Sequence, residues 1–154
     1  MVPSSLPAAA SIPFPGGMLG RRDPETIKLA GKMNDSTFQT EIRAVAGLED
    51  ASTLHIRGRV RYAQAPALRR EILDWVTRSP ASRLIIELDE VEEMDTSGAA
   101  VLVESLVFGR DRSKQMLLCS PSESVMRLFR LAGFEEALAA CCPSPAEALR
   151  RLQA

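Results

Sequence analysis

The sequence predicts an α/β domain: a mixed, mostly parallel sheet of about four strands with helices packed on it, in the order β-β-α-β-α-β-α-α. Two short apolar runs, Leu84–Leu88 and Met116–Cys119, have the character of strands buried on both faces. Segments of helical period stand before, between and after them. Two Ser-Pro-x-Glu signals, Ser120-Pro121-Ser122-Glu123 and Ser144-Pro145-Ala146-Glu147, mark helix starts. Strands alternating with helices imply right-handed crossovers between parallel neighbours.

Residues 1–36 read as a flexible N-terminal arm. Pro3, Pro7, Pro13, Pro15 and the Gly16-Gly17 pair interrupt it, and no period is sustained. A short helix near Pro24–Leu29 is compatible with this stretch. The domain is expected over residues 37–154. From Phe38, the residues Phe38, Thr40, Ile42 and Ala44 alternate with polar ones, which is a strand pattern. Gly47–Ala51 is a turn, and Leu54, Ile56, Arg57, Gly58 and Val60 suggest a second strand pairing with the first.

Pro66 suits the first turn of a helix whose apolar face is Leu68, Ile72, Trp75 and Val76, ended by Ser79-Pro80. After the 84–88 strand, Asp95-Thr96-Ser97-Gly98 forms a turn. The run Ala99–Phe108 behind it is almost wholly apolar, with Glu104 and Ser105 as exceptions. Its length and its place between two strands make it a helix. Ser120 is the expected cap of the next helix, with Pro121 at its first position, Glu123 closing a capping box, and Gly133 stopping it. Ala148, Leu149 and Leu152 make a short last helix.

The composition sets limits on function. The 154 residues carry 45% hydrophobic and 25% charged side chains with a formal net charge of -1, ordinary values for a globular domain. With no basic excess, nucleic-acid binding by phosphate neutralisation is not expected. No stretch approaches the roughly 20 apolar residues of a membrane span, so no membrane insertion is expected and the location is read as cytoplasmic. Cys119, Cys141 and Cys142 include no C-x-x-C and read as reduced, buried thiols. His55 is the single histidine, set inside a strand, and no Ser/His/Asp set, Cys/His set or phosphate loop is present. The chain is read as no enzyme, with no cofactor. The acids between Asp89 and Asp95 are irregularly spaced and read as a solvated edge; no metal site is assigned.

The strand Leu84-Ile85-Ile86-Glu87-Leu88 followed by Met94-Asp95-Thr96-Ser97-Gly98 resembles the STAS domain, a family named for sulphate transporters and anti-sigma-factor antagonists. Met116–Cys119, Ser120-Pro121-Ser122, Val125, Leu128 and Leu131-Ala132-Gly133-Phe134 are similar to its distal strand and helix. The resemblance spans about residues 40–154 and implies a single STAS-like domain that regulates by binding protein. In anti-sigma-factor antagonists a partner kinase phosphorylates the hydroxyl residue after the motif aspartate; the matching position is Thr96, with Ser97 the runner-up. The implied partner is an anti-sigma factor resembling a serine/threonine kinase. Those antagonists carry Gly-x-Leu-Asp after the second strand, whereas this chain has Arg61 in place of the acid. The run Tyr62-Ala63-Gln64-Ala65 is more similar to the STAS domains of sulphate-type transporters. The alternative partner is therefore a component of a membrane transporter, sulphate-type or lipid-exporting.

The chemistry of the motif is consistent with a switch. A hydroxyl between a strand and a helix N-terminus faces free N–H groups and the positive end of the helix dipole. Phosphate there would add about -1.5 to -2 charges at pH 7. Thr96 or Ser97 could equally serve as plain helix caps, worth about 1 kcal/mol. Asp95 either orients the Thr96 hydroxyl or binds turn N–H groups. Gly98 allows close approach of a partner or of the preceding strand. Arg61 could pair with Asp95 or with a phosphate. The partner-binding set is accordingly Arg61, Asp95, Thr96, Ser97, Gly98, Ala99 and Leu102. The all-round apolar character of Ala99–Phe108 implies that part of it meets a partner, a second copy of the chain in a homodimer, or the N-terminal arm.

Overall fold

The computed structural model describes residues 26–29 and 38–153. In chain order the elements are β1 (Thr26–Leu29), β2 (Phe38–Ala44), β3 (Ala51–Val60), α1 (Ala65–Arg78), β4 (Arg83–Met94), α2 (Thr96–Asp111), β5 (Gln115–Cys119), α3 (Glu123–Ala132), α4 (Glu135–Ala140), β6 (Cys141–Cys142) and α5 (Pro145–Gln153). Spatial order in the sheet follows the chain, β1 through β6. β1, β2 and β3 are antiparallel neighbours, and β3 to β6 run parallel. The expected mixed, mostly parallel α/β architecture is therefore present, with α1 and α2 as crossovers.

Two local expectations are corrected. The helix allowed near Pro24–Leu29 is not formed over Thr26–Leu29, which pairs antiparallel with β2, Thr26 opposite Arg43 and Leu29 opposite Thr40. Alternating Thr-Ile-Lys-Leu suits an edge strand, and pairing with β2 satisfies its backbone. The rest of the arm assigned to residues 1–36 lies outside the described residues. The cap of α3 is Ser122, whose hydroxyl accepts from the Val125 N–H at 3.2 Å, and not Ser120. Ser120 instead holds a left-handed φ of 57° and donates its N–H to the Cys142 carbonyl at 2.8 Å. That bond fastens the end of β5 to β6 and delays the helix by two residues. β1 and β6 bring the sheet to six strands, and α4 adds a helix; at six and two residues α4 and β6 are too short to show a period.

The main core lies between the sheet and α1, α2, α3 and α4. Leu54, Ile56, Leu84, Ile86, Leu88 and Leu118 from the strands meet Leu68, Ile72, Leu102 and Phe129 from the helices. Period-2 alternation places those strand residues on one face. On the other face α5 covers a smaller cluster of Ile85, Leu117, Cys119, Cys142, Ala148 and Leu152. Ser144 caps α5 as its sequence signal requires, accepting the Glu147 N–H at 3.2 Å. All three cysteines are free thiols, with Cys119 and Cys142 buried. No helix of the described residues is long and apolar enough to cross a membrane.

The apolar run of α2 has a local explanation. Gly98, Ala99, Val101, Leu102, Ser105, Leu106 and Gly109 are all buried. Outward-facing Thr96, Ala100, Glu104 and Asp111 are exposed, while Val103 and Val107 are half-buried. A central crossover helix packed on the sheet and flanked by neighbouring helices buries most of its circumference. Glu104 ties its outer side to α1 through Arg69, with Nη2 and Oε2 2.7 Å apart.

Candidate functional site: the tip between β4 and α2

Parallel β3 and β4 end together, Val60 opposite Met94, so the segments that follow them emerge side by side. Such ends of parallel strands are where α/β folds place binding loops. After β3, the turn 61–64 closes on itself: the Gln64 N–H donates to the Arg61 carbonyl at 2.9 Å, and the Arg61 N–H donates to Gln64 Oε1 at 3.0 Å. After β4, a single residue, Asp95, joins strand to helix.

Asp95 is the cap of α2, with extended backbone (φ -106°, ψ -174°). Its Oδ1 accepts the Gly98 N–H at 3.1 Å and its Oδ2 accepts the Tyr62 N–H at 2.9 Å. Its own N–H donates to the Val60 carbonyl at 3.2 Å. Thr96 and Ser97 are therefore not the caps. Thr96 is the first residue of the helix and is exposed, and its hydroxyl has no hydrogen bond with another described residue. Ser97 is half-buried. Sequence alone could not separate the three, because Asp, Ser and Thr all favour caps. The pairing of Asp95 with Val60 decides it.

Three residues of the expected partner-binding set face inward. Ala99 and Leu102 are both 0% exposed and belong to the core. Gly98 is buried against the strands: a Cβ there would lie 2.9 Å from Val60 Cγ1 and 2.9 Å from Met94 Cγ. Its close approach serves the preceding strands, so α2 starts pressed onto the sheet. The surface that a partner can reach is instead Thr96, Ala100 and the 61–64 turn. That turn displays Tyr62, 79% exposed and the single tyrosine of the chain.

Arg61 does stand beside the motif. Its Nη2 lies 2.6 Å from Glu93 Oε1, not on Asp95. The hydrogen bond it donates to Glu93, the charge of Glu93 and the more distant Asp95 push the guanidinium pKa up. Neighbouring acids are paired in the same way: Arg57 Nε lies 3.0 Å from Glu90 Oε1, and His55 Nε2 lies 2.8 Å from Asp89 Oδ1. Within the acidic run, Glu90 and Glu93 thus pair with arginines from the end of β3 and the turn after it, and Asp89 meets His55. His55 Nδ1 is buried without a partner among the described residues.

Comparison with known proteins places this geometry in a family. A sequence profile of the STAS domain matches residues 43–148. The chain belongs to the STAS domain family. An anti-sigma factor antagonist from Mycobacterium paratuberculosis superposes with a TM-score of 0.63 at 22% identity, covering 79% of this chain and 98% of that one. The Bacillus cell fate determinant SpoIIAA in its phosphorylated form superposes with a TM-score of 0.53 at 14% identity, covering 72% and 98%. A sulfate transporter family protein from Wolinella succinogenes gives 0.56 at 22% identity, covering 68% and 85%. At these identities the likeness is one of fold. The STAS fold thus recurs in antagonists and transporter proteins alike, and the chemistry of the tip has to distinguish between them.

Proposed function

We propose that this STAS domain is a cytoplasmic, non-enzymatic regulator that binds a partner protein through its β4–α2 tip and is switched by phosphorylation of Thr96. The observation that carries the reading is that Thr96 is exposed and its hydroxyl makes no hydrogen bond with another described residue, Asp95 already capping the helix. A partner kinase transfers the terminal phosphoryl group of ATP to Thr96 Oγ, releasing ADP and the hydroxyl proton. The new dianion sits beside Asp95, with Glu92 and Glu93 on the strand just before it. A complex burying that rim must then desolvate an added charge among like charges, which weakens it. The phosphorylated form of SpoIIAA, similar in fold, supports a phosphorylation switch on this scaffold.

The partner that suits this reading is an anti-sigma factor with kinase activity. A component of a membrane transporter is the second reading. It is favoured by Arg61 and the Tyr62-Ala63-Gln64-Ala65 run and by the sulfate transporter neighbour. The test is partner capture from the protein's own cells with wild type, Thr96→Ala and Thr96→Glu, read with intact mass. A single phosphate on wild type that Thr96→Ala abolishes, with a partner held by Thr96→Ala and lost by Thr96→Glu, is the expected result. Equal binding of every partner by Thr96→Glu would sink the switch. The identity of the partner, kinase-like or transporter component, decides between the two readings.

A further inference from the structure

We propose that Asp95 is a positioning residue that fastens the Tyr62 turn to the start of α2, and that negative charge on Thr96 is transmitted to Tyr62 by loosening that fastening. The inference rests on Thr96 being the switched residue, and adds the route by which the switch reaches a second part of the surface.

Each Asp95 oxygen has one task. Oδ1 holds the Gly98 N–H at 3.1 Å, inside the first turn of α2. Oδ2 holds the Tyr62 N–H at 2.9 Å, across 33 residues of chain. No other hydrogen bond among the described residues joins the 61–64 turn to the start of α2. Otherwise the turn is bonded within itself and to the first turn of α1, where the Ala65 N–H donates to the Arg61 carbonyl at 3.0 Å and the Leu68 N–H donates to the Gln64 carbonyl at 3.0 Å. Its remaining link, Arg61 to Glu93, is an exposed ion pair of the kind that contributes little.

Thr96 adjoins Asp95 in the chain and begins the helix. Phosphate oxygens at Thr96 compete for the first-turn N–H groups, of which the Gly98 N–H is one. They also repel the Asp95 carboxylate. Both effects act on the same group in the same direction, away from its present position. When the carboxylate moves, the Tyr62 N–H loses its charged acceptor and the turn that displays the Tyr62 ring is released. A partner would then meet two changes at once, a new charge and a displaced aromatic ring. Arg61, Tyr62 and Ala63 are all exposed, so the turn has little packing of its own to resist release, while Ala65 beyond it stays anchored in the core.

Backbone amide hydrogen exchange by NMR on the full chain, with no partner present, tests this. Asp95→Ala should speed exchange at Tyr62 about tenfold, as expected for losing a bond to a charged acceptor, while core amides such as Leu118 keep their protection. Thr96→Glu should speed the Tyr62 amide several-fold, and the uncharged Thr96→Gln should leave it as in wild type. The ring resonances of the single tyrosine report the same event independently. If Asp95→Ala does not fold, Asp95→Asn, which keeps one carbonyl acceptor, must lose protection at Tyr62 or Gly98. Unchanged Tyr62 exchange in the Asp95 variants overturns the fastening. Faster exchange in Asp95→Ala with none in Thr96→Glu overturns the link to Thr96. Either failure leaves partner release by Thr96→Glu to be judged separately, because no partner enters the exchange measurement.

Discussion

Leu102 and Ala100 stand two residues apart on α2 and should behave in opposite ways. Leu102 is 0% exposed within the main core, whereas Ala100 is exposed on the outer stripe. Leu102→Ala removes three buried carbons, about 2.4 kcal/mol at roughly 0.8 kcal/mol per CH₂. The cavity left behind raises such losses into a range of about 2–5 kcal/mol. A middle value of about 3 kcal/mol sets the expectation. Unfolding residues 38–153 at about 2.1 cal/mol/K per residue gives an entropy near 0.24 kcal/mol/K, so Tm should fall by about 12 °C. Ala100→Arg, by contrast, should stay within about 0.5 kcal/mol of wild type, or about 2 °C. Calorimetric melts of both variants, with urea unfolding as a second probe, provide the measurement. Should Leu102→Ala melt within 2 °C of wild type, or Ala100→Arg lose as much as Leu102→Ala, the inner and outer faces of α2 have been assigned the wrong way round.

Glu87 sits on β4 opposite Cys119, half-buried. Burial pushes its carboxyl pKa above the ordinary 4.5, with Asp89 adding to the rise and hydrogen bonds with Cys119 and Ser120 opposing it. A raised pKa means that the native state holds the proton more tightly than the unfolded chain, so Glu87 costs stability as pH rises above 4.5. Glu87→Gln should therefore melt higher than wild type at pH 7, with the advantage shrinking as pH falls toward 4.5; melts at a series of pH values check this, and a difference independent of pH refutes it. Cys119 is pushed up to about 12 and Cys141 to about 11, both chiefly by burial, and burial raises Cys142 as well. Because the thiolate is the reacting species, iodoacetamide at pH 8 should leave Cys119 and Cys142 unmodified in the native protein and alkylate all three thiols in denaturant. Rapid native alkylation of Cys119, seen by peptide mass, would contradict its burial.

The sequence carried the layout wherever a period ran long enough to be read. α1 follows Leu68, Ile72, Trp75 and Val76, and β4 includes the expected Leu84–Leu88 run within its twelve residues. The α5 start was legible because Ser144 and Glu147 stand three apart with proline between them. The misreadings arise where tertiary pairing overrides a local signal. Ser120 and Ser122 offer equivalent hydroxyls, and the bond from the Ser120 N–H to Cys142 chooses between them from 22 residues away. Leu102 and Ala99 lie within the same apolar run as half-exposed Val103 and Val107, and composition cannot reveal which side meets the sheet. Tyr62 was visible only as part of a family-like run; its tie to Asp95 spans 33 positions and leaves no local trace.

At the tip, holding the helix and carrying an accessible hydroxyl fall to different residues, and this division is what makes a switch physically workable. Were Thr96 the cap, its oxygen would be engaged with first-turn N–H groups, and phosphorylation would break the helix start it modified. With Asp95 as the cap, Thr96 is exposed with its hydroxyl unengaged by the other described residues, and the helix keeps its backbone contacts through Ala99, whose N–H donates to the Asp95 carbonyl at 3.0 Å. Charge can then be added at the tip without dismantling the core beneath it, where Gly98 is wedged against Val60 and Met94. Only the exposed parts of the tip, the Thr96 side chain and the Tyr62 turn, are left free to respond. A binding domain can carry a signal on those terms, since the information lies in which surface its partner encounters.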